Sequence, residues 1–128
     1  MSDVVRTAGG PVFTRPIEDL LYRRGDVRMA CAYGLAHEGE EVVVATLVPR
    51  EAGLDLARLA ELVTEKLAPH ERPRFVRLAT SIPMTDGYRP LKRALVEEGL
   101  SGVVHRLGED GRYHPLDGAA REGRAARA

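Results

Sequence analysis

Between Ser81 and Leu95 the chain reads SIPMTDGYRPLKRAL. Three cations, Arg89, Lys92 and Arg93, follow the Thr85-Asp86-Gly87 turn. A cation carried on a loop can stabilise negative charge developing on a carboxylate or a phosphate. The ordinary role of such a run is a solvated helix face. Yet the dipole of a helix opposes cations at its N-terminus, so these three are not placed there for helix stability. The second feature is Gly9-Gly10-Pro11, a glycine loop without the spacing of a phosphate loop. The four histidines are scattered. His105 and His114 would face each other across a C-terminal hairpin only if Glu109-Asp110 formed its turn. The commoner Asp110-Gly111 turn sets them out of step, which leaves two surface histidines and no metal site. Glu38, Glu40 and Glu41 read as a solvated acidic turn. Cys31, the single cysteine, lies in the apolar run Met29-Ala30-Cys31-Ala32-Tyr33 and reads as buried packing. No dinucleotide fingerprint, zinc-spaced set, Ser-His-Asp or Cys-His arrangement is present in the sequence.

These residues need a scaffold, and hydrophobic periodicity supplies one. After an irregular segment over residues 1–13, Thr14 is placed to cap a helix with Pro16 in its first turn. Ile17, Leu20 and Leu21 mark the apolar face of that helix, and Arg24-Gly25-Asp26 stops it. A strand from Val27 to Leu35, a turn through His37-Glu38-Gly39-Glu40 and the β-branched run EVVVATLV from Glu41 to Val48 predict an antiparallel hairpin with the more buried strand second. Asp55 is placed to cap a second helix striped with Leu56, Leu59, Ala60, Val63 and Leu67. Pro69 ends it, and a third strand runs from Pro73 to Ala79. Pro90 is expected as the first residue of a third helix that Gly99 stops. The predicted class is α+β: a small, mostly antiparallel three-stranded sheet with helices packed on it, plus a short C-terminal hairpin. The domain is expected over residues 1–117, with a disordered tail over 118–128.

The 128 residues suffice for one domain with a modest core. Nineteen basic and nineteen acidic residues cancel, which argues against nucleic-acid binding by bulk charge. One cysteine cannot form a disulfide within the chain. No charged leader with an apolar run opens the sequence, and its apolar runs are too short to span a bilayer, so a cytoplasmic protein is expected.

The fragments GGPVFTRPIEDLL, GDVRMACAYGLA, GEEVVVATLVPR, LVTEKLAPHERPRFVRLATSIPMT and KRAL follow one another from about Arg6 to Leu95. In that order they resemble the small C-terminal domain of the AMP-forming acyl-CoA synthetases, the superfamily that also holds peptide-synthetase adenylation domains and firefly luciferase. The continuation LVEEGL and GEDGRYHPLD resembles the long- and very-long-chain fatty-acid transport branch. The resemblance implies a large N-terminal AMP-binding domain as partner, which holds ATP, Mg²⁺ and the acid. It also implies two poses of the small domain. In one, a lysine from the turn after the third strand promotes adenylate formation. In the other, the glycine loop lines a tunnel for the pantetheine arm of CoA or of a carrier protein.

Carried onto this chain, the resemblance puts Arg89 at the position of the catalytic lysine, Lys92 at the motif's second lysine as a possible auxiliary, and Gly9, Gly10 and Val12 at the CoA-binding loop. Gly87-Tyr88 stands where the family has Thr-Gly, and Pro90 follows Arg89 directly. The family's hinge residue would precede Met1 or align with Asp3. The expected function is that of a stand-alone C-terminal domain of a fatty-acid–CoA ligase, inactive alone and binding no cofactor alone. The alternative is an interaction or regulatory module derived from that domain.

Overall fold

The computed structural model describes residues 4–51, 53–87 and 90–116. Two short strands, β1 (Val4–Thr7) and β2 (Gly10–Phe13), are followed by helix α1 (Thr14–Tyr22), strands β3 (Val27–His37) and β4 (Glu40–Pro49), and helix α2 (Leu56–Lys66). A 3-10 turn (Pro69–Glu71), strand β5 (Phe75–Leu78), helix α3 (Lys92–Glu98) and strands β6 (Val103–Leu107) and β7 (Tyr113–Pro115) complete the order. The α+β class stands, but the sheet is larger than expected. It has five strands in the order β3-β4-β5-β6-β7, with β4 and β5 parallel and the other pairs antiparallel. The C-terminal hairpin is therefore no appendage: β6 extends the sheet from the edge of β5. Residues 4–13 likewise form an antiparallel hairpin where an irregular segment was expected. The predicted tail over 118–128 lies outside the described residues.

The run EVVVATLV is apolar at successive positions because β4 is buried on both faces. Val43, Ala45 and Leu47 face one core with Ala30, Ala32 and Val76, while Val42, Val44 and Val48 face another with Cys31, Tyr33 and Phe75. α1, α2 and the β1–β2 hairpin cover the first face through Ile17, Leu21, Leu59, Val63, Val5 and Val12. α3 covers the second through Leu95. The division by size is physical. Alanines on the first face leave room for two helices, while Tyr33 and Phe75 fill the space under one short helix. The Tyr33 hydroxyl meets Thr46 Oγ1 at 2.6 Å, so the buried phenol is hydrogen-bonded. Cys31 is fully buried, in accord with a packing role.

The helix ends correct two expectations. Phe13, not Thr14, is the N-cap of α1, and Thr14 is its fully buried first residue. α3 begins at Lys92, because Pro90 is drawn into a bridge with Met84. Asp55 does cap α2, accepting from the Arg58 amide at 3.1 Å. Behind it lies a polar clamp. Arg24 donates Nε and Nη2 to Asp26 at 2.8 and 2.6 Å, and the Asp55 amide donates to Asp26 at 3.0 Å. The end of α1 is thus tied to the start of α2 through one carboxylate.

Burial alone would raise the Asp26 carboxyl, but the hydrogen bonds from Arg24 and from the Asp55 amide, with the Arg24 charge, outweigh it and hold the group below its ordinary value. A carboxylate depressed in the folded state contributes stability above its unfolded value of 3.8 and loses it as pH falls through the folded value. Asp26→Asn is therefore expected to destabilise the protein by about 1–3 kcal/mol at pH 7. Urea unfolding from pH 7 to pH 2.5 should show the difference from the parent shrinking below pH 4. A difference that stays constant over that range would refute the assignment.

Candidate functional site

The glycine turn comes first. Thr7 pairs with Gly10 across the β1–β2 hairpin, leaving Ala8 and Gly9 as the two-residue tip, and Thr7 Oγ1 donates to the Gly10 carbonyl at 2.7 Å. Gly10 has φ +129°, a conformation that residues with a Cβ rarely adopt. Gly9 is required for another reason. A Cβ there would stand 2.6 Å from His70 Cβ, so the turn lies directly against the 3-10 segment. Beneath it is a small open cleft of about 70 Å³. Thr7, Gly9, Glu40, Glu41, His70 and Arg74 contribute to its wall. Arg74 reaches Glu40 at 3.4 Å. Arg72 donates to the Leu67 and Thr64 carbonyls at 3.1 and 2.8 Å, capping the end of α2.

Glu41 is exposed, as expected of a solvated acidic run, and its side chain also has a partner: Oε1 accepts from the Arg6 amide at 2.8 Å, which fastens β1 to β4. The carboxylate passes over Gly34, where a Cβ would lie 2.8 Å from Oε1. Val12 is placed in the core, 1% exposed, opposite Val5. Its side chain is spent on packing, so only its backbone is left for any wall beside the glycine turn.

The basic loop is tied to α1 through Lys92. Residues 84–90 leave and re-enter the scaffold at one point: Met84 bridges to Pro90, and the Leu91 amide donates to the Pro83 carbonyl at 2.8 Å. Tyr88 and Arg89 lie outside the described residues. Met84 and Leu91 at the loop's base are substantially exposed, 38% and 40%. Arg93 is exposed. Lys92 is not. Its side chain is 11% exposed, with Nζ 3.1 Å from Thr14 Oγ1 and 3.5 Å from Glu18 Oε2. The same Glu18 oxygen accepts the Ala32 amide of β3 at 2.9 Å. β2 runs about 10 Å from Gly10 at the glycine turn to Phe13, and Thr14, which follows Phe13, meets the Lys92 ammonium.

Other candidates are not brought together. The register sets His105 opposite Pro115 and His114 opposite Arg106, so the two histidines are one residue out of step; the hairpin closes through a three-residue tip, Glu109-Asp110-Gly111, rather than the expected two-residue Asp-Gly turn. His114 instead meets the Asp110 carboxylate at 2.9 Å, and burial pushes the His105 imidazole down. Among the described residues, no group of His, Cys, Asp and Glu could hold a metal ion, and no helix is long and apolar enough to cross a membrane. Two contributors were not singled out from sequence, His70 and Glu18. The signal for Glu18 was present: Thr14 and Glu18 are spaced i, i+4 on a helix whose other inward positions are apolar.

The described residues form a small α+β domain with a tight glycine turn and a basic loop whose base is anchored on α1. The comparisons name the kind: the chain belongs to the family described as the AMP-binding enzyme C-terminal domain, matched over residues 16–87.

Similar proteins agree. The long-chain fatty acid transport protein 3 of Mus musculus is 31% identical over 123 residues, covering 89% of this chain and 18% of that protein. A medium/long-chain fatty-acid–CoA ligase of Mycobacterium marinum is 27% identical over 104 residues, covering 78% and 21%. Among solved structures, the amide bond synthetase of Marinactinospora thermotolerans superposes with TM-score 0.69 at 29% identity, over 77% of this chain and 20% of that one. A fatty acyl-CoA synthetase of Mycobacterium tuberculosis shares the fold, with TM-score 0.70 at 24% identity over 77% and 20%. The chain thus spans about a fifth of the length of these relatives.

The geometry of the turn predicts its tolerance. Gly10→Ala is expected to cost about 1–3 kcal/mol, from the positive φ. Gly9→Ala should displace the turn from His70, visible as shifted amide resonances in residues 7–10 and 69–71. Gly25→Ala, with nothing within 4 Å of its Cβ, serves as the control and should unfold with the parent. Equal stability of Gly10→Ala and Gly25→Ala would refute the reading.

Proposed function

We propose that this chain completes an AMP-forming acyl-CoA ligase by docking on a larger AMP-binding body, and that the acid is a long-chain fatty acid. The single observation that carries the reading is the family match over residues 16–87. The fatty-acid specificity rests on two relatives that match most of this chain, a long-chain fatty acid transport protein and a medium/long-chain fatty-acid–CoA ligase. In this reading the body holds ATP, Mg²⁺ and the acid. Arg89 is delivered by the loop over residues 84–90 to the carboxylate and phosphate as the adenylate forms. There its charge offsets the negative charge of two reacting anions. A guanidinium keeps the positive charge of the family's lysine but presents a broad planar fork in place of a compact ammonium, so its effect is partial.

In the second pose the backbone of Gly9 and Gly10, with that of Val12, borders the path of a pantetheine arm belonging to CoA or a carrier protein. Glycine suits such a path, because backbone without Cβ allows the closest approach.

The body can be captured with the tagged chain and the two half-reactions measured separately. Adding the chain to the purified body is expected to raise CoA-thioester formation from a long-chain acid. Arg89→Ala should remove about 10²-fold of the adenylation rate, read as pyrophosphate release, while leaving thioester formation from supplied acyl-adenylate unchanged. Arg89→Lys should raise the adenylation rate above the parent. No gain in either half-reaction on adding the chain would overturn the proposal.

A further inference from the structure

The geometry assigns Lys92 a positioning role: its ammonium locks the base of the 84–90 loop onto α1 and β3 and thereby sets where Arg89 can reach. The assignment rests on the reading of Arg89 given above. It differs from the expectation that Lys92 itself approaches the reaction centre, because its reach is already taken up within the domain.

The argument begins with an electrostatic oddity. Lys92 is the first residue of α3, where the helix dipole opposes a cation. The ammonium is met there by α1, 78 residues away in sequence, through Thr14 Oγ1 at 3.1 Å and Glu18 Oε2 at 3.5 Å. Both charged side chains are largely withdrawn from water, 11% and 19% exposed, which strengthens their attraction relative to a surface pair. The carboxylate is itself fixed, because the same oxygen accepts the Ala32 amide at 2.9 Å. One oxygen of Glu18 therefore joins three elements: α1 that carries it, β3 that donates to it, and α3 that pairs with it.

From this node the chain is held as far as Pro90, with only Leu91 between. The Leu91 amide is bonded to the Pro83 carbonyl at 2.8 Å, and Pro90 is bridged to Met84 with its φ fixed by the ring. Displacing Lys92 would release both strands of the loop's base at once. The ammonium fits this role better than a guanidinium would. It is a compact charge on a long stem, able to meet a hydroxyl and a carboxylate on successive turns of α1.

The test uses the intact 128-residue chain. Lys92→Met keeps the length of the stem and removes the charge. Hydrogen exchange of the Leu91 and Ala32 amides is expected to speed up by about tenfold, with the amides of β4 changing less than about twofold. Lys92→Arg is expected to restore most of the protection. If Lys92→Met fails to fold, Thr14→Val removes one acceptor with little change of shape and should accelerate Leu91 exchange by a few-fold. Exchange that rises equally throughout, or not at all at Leu91, would overturn the assignment. In the reconstituted ligase Lys92→Met should lower the adenylation kcat without changing KM for ATP, and spare the thioester half-reaction. Equal loss in both would also overturn it. A parent chain that gives no gain on any body refutes the ligase reading alone, because the exchange result stands or falls without it.

Discussion

Burial of β4 on both faces is the constraint from which the architecture follows. A strand buried from Val42 to Val48 and apolar at every position but Thr46 has to be covered above and below and paired on both edges. β3 and β5 supply the edges; α1, α2 and the first hairpin cover one face, and α3 the other. The parallel pairing of β4 with β5 requires a crossover, and α2 is that crossover. A short β5 would then leave its far edge open, and β6 closes it. Each element is present because a neighbour would otherwise be wet.

Polar contacts then decide how these covers are joined. Three carboxylates do most of the joining, and none sits at a conventional surface pair. Asp26 ties α1 to α2, Glu41 ties β1 to β4, and Glu18 ties α1, β3 and α3 together. Each accepts a backbone amide of another element, and the Ala32 amide, which is part-buried, would be costly to leave without its acceptor. Two further amides, of Ala68 and Arg112, are capped locally by Glu71 and Asp110. With a net charge of zero, the acidic residues serve as internal fasteners rather than as a field.

Those parts of the fold whose cause is local were legible in the sequence. The double-sided β4, the stripe of α2, the Asp55 cap and the Gly99 stop all follow from side chains within a few positions of one another. What was missed has distant causes. Four-residue strands such as β1 and β2 are too short to show alternation, and Gly9-Gly10-Pro11 looks like a loop until Glu41 is seen to fasten β1 from 35 residues away. Pro90 is chemically suited to open a helix, but its pairing with Met84 prevails and moves the start of α3 to Lys92. The basic run over residues 89–93 showed that something there was unrelated to helix stability. It could not show that Lys92 belongs to Glu18, because no local pattern connects residues 74 positions apart.

The placement of the two features bears on the proposed two-step role. The glycine turn and Thr14, the residue that meets the Lys92 ammonium, flank a four-residue strand about 10 Å long. Both features are backed within the domain: Gly9 by His70, and Lys92 by Thr14 and Glu18. In the proposed ligase this backing would hold each loop in a fixed place on the domain, so that a reaction centre admitting one loop at a time would have to receive them in turn.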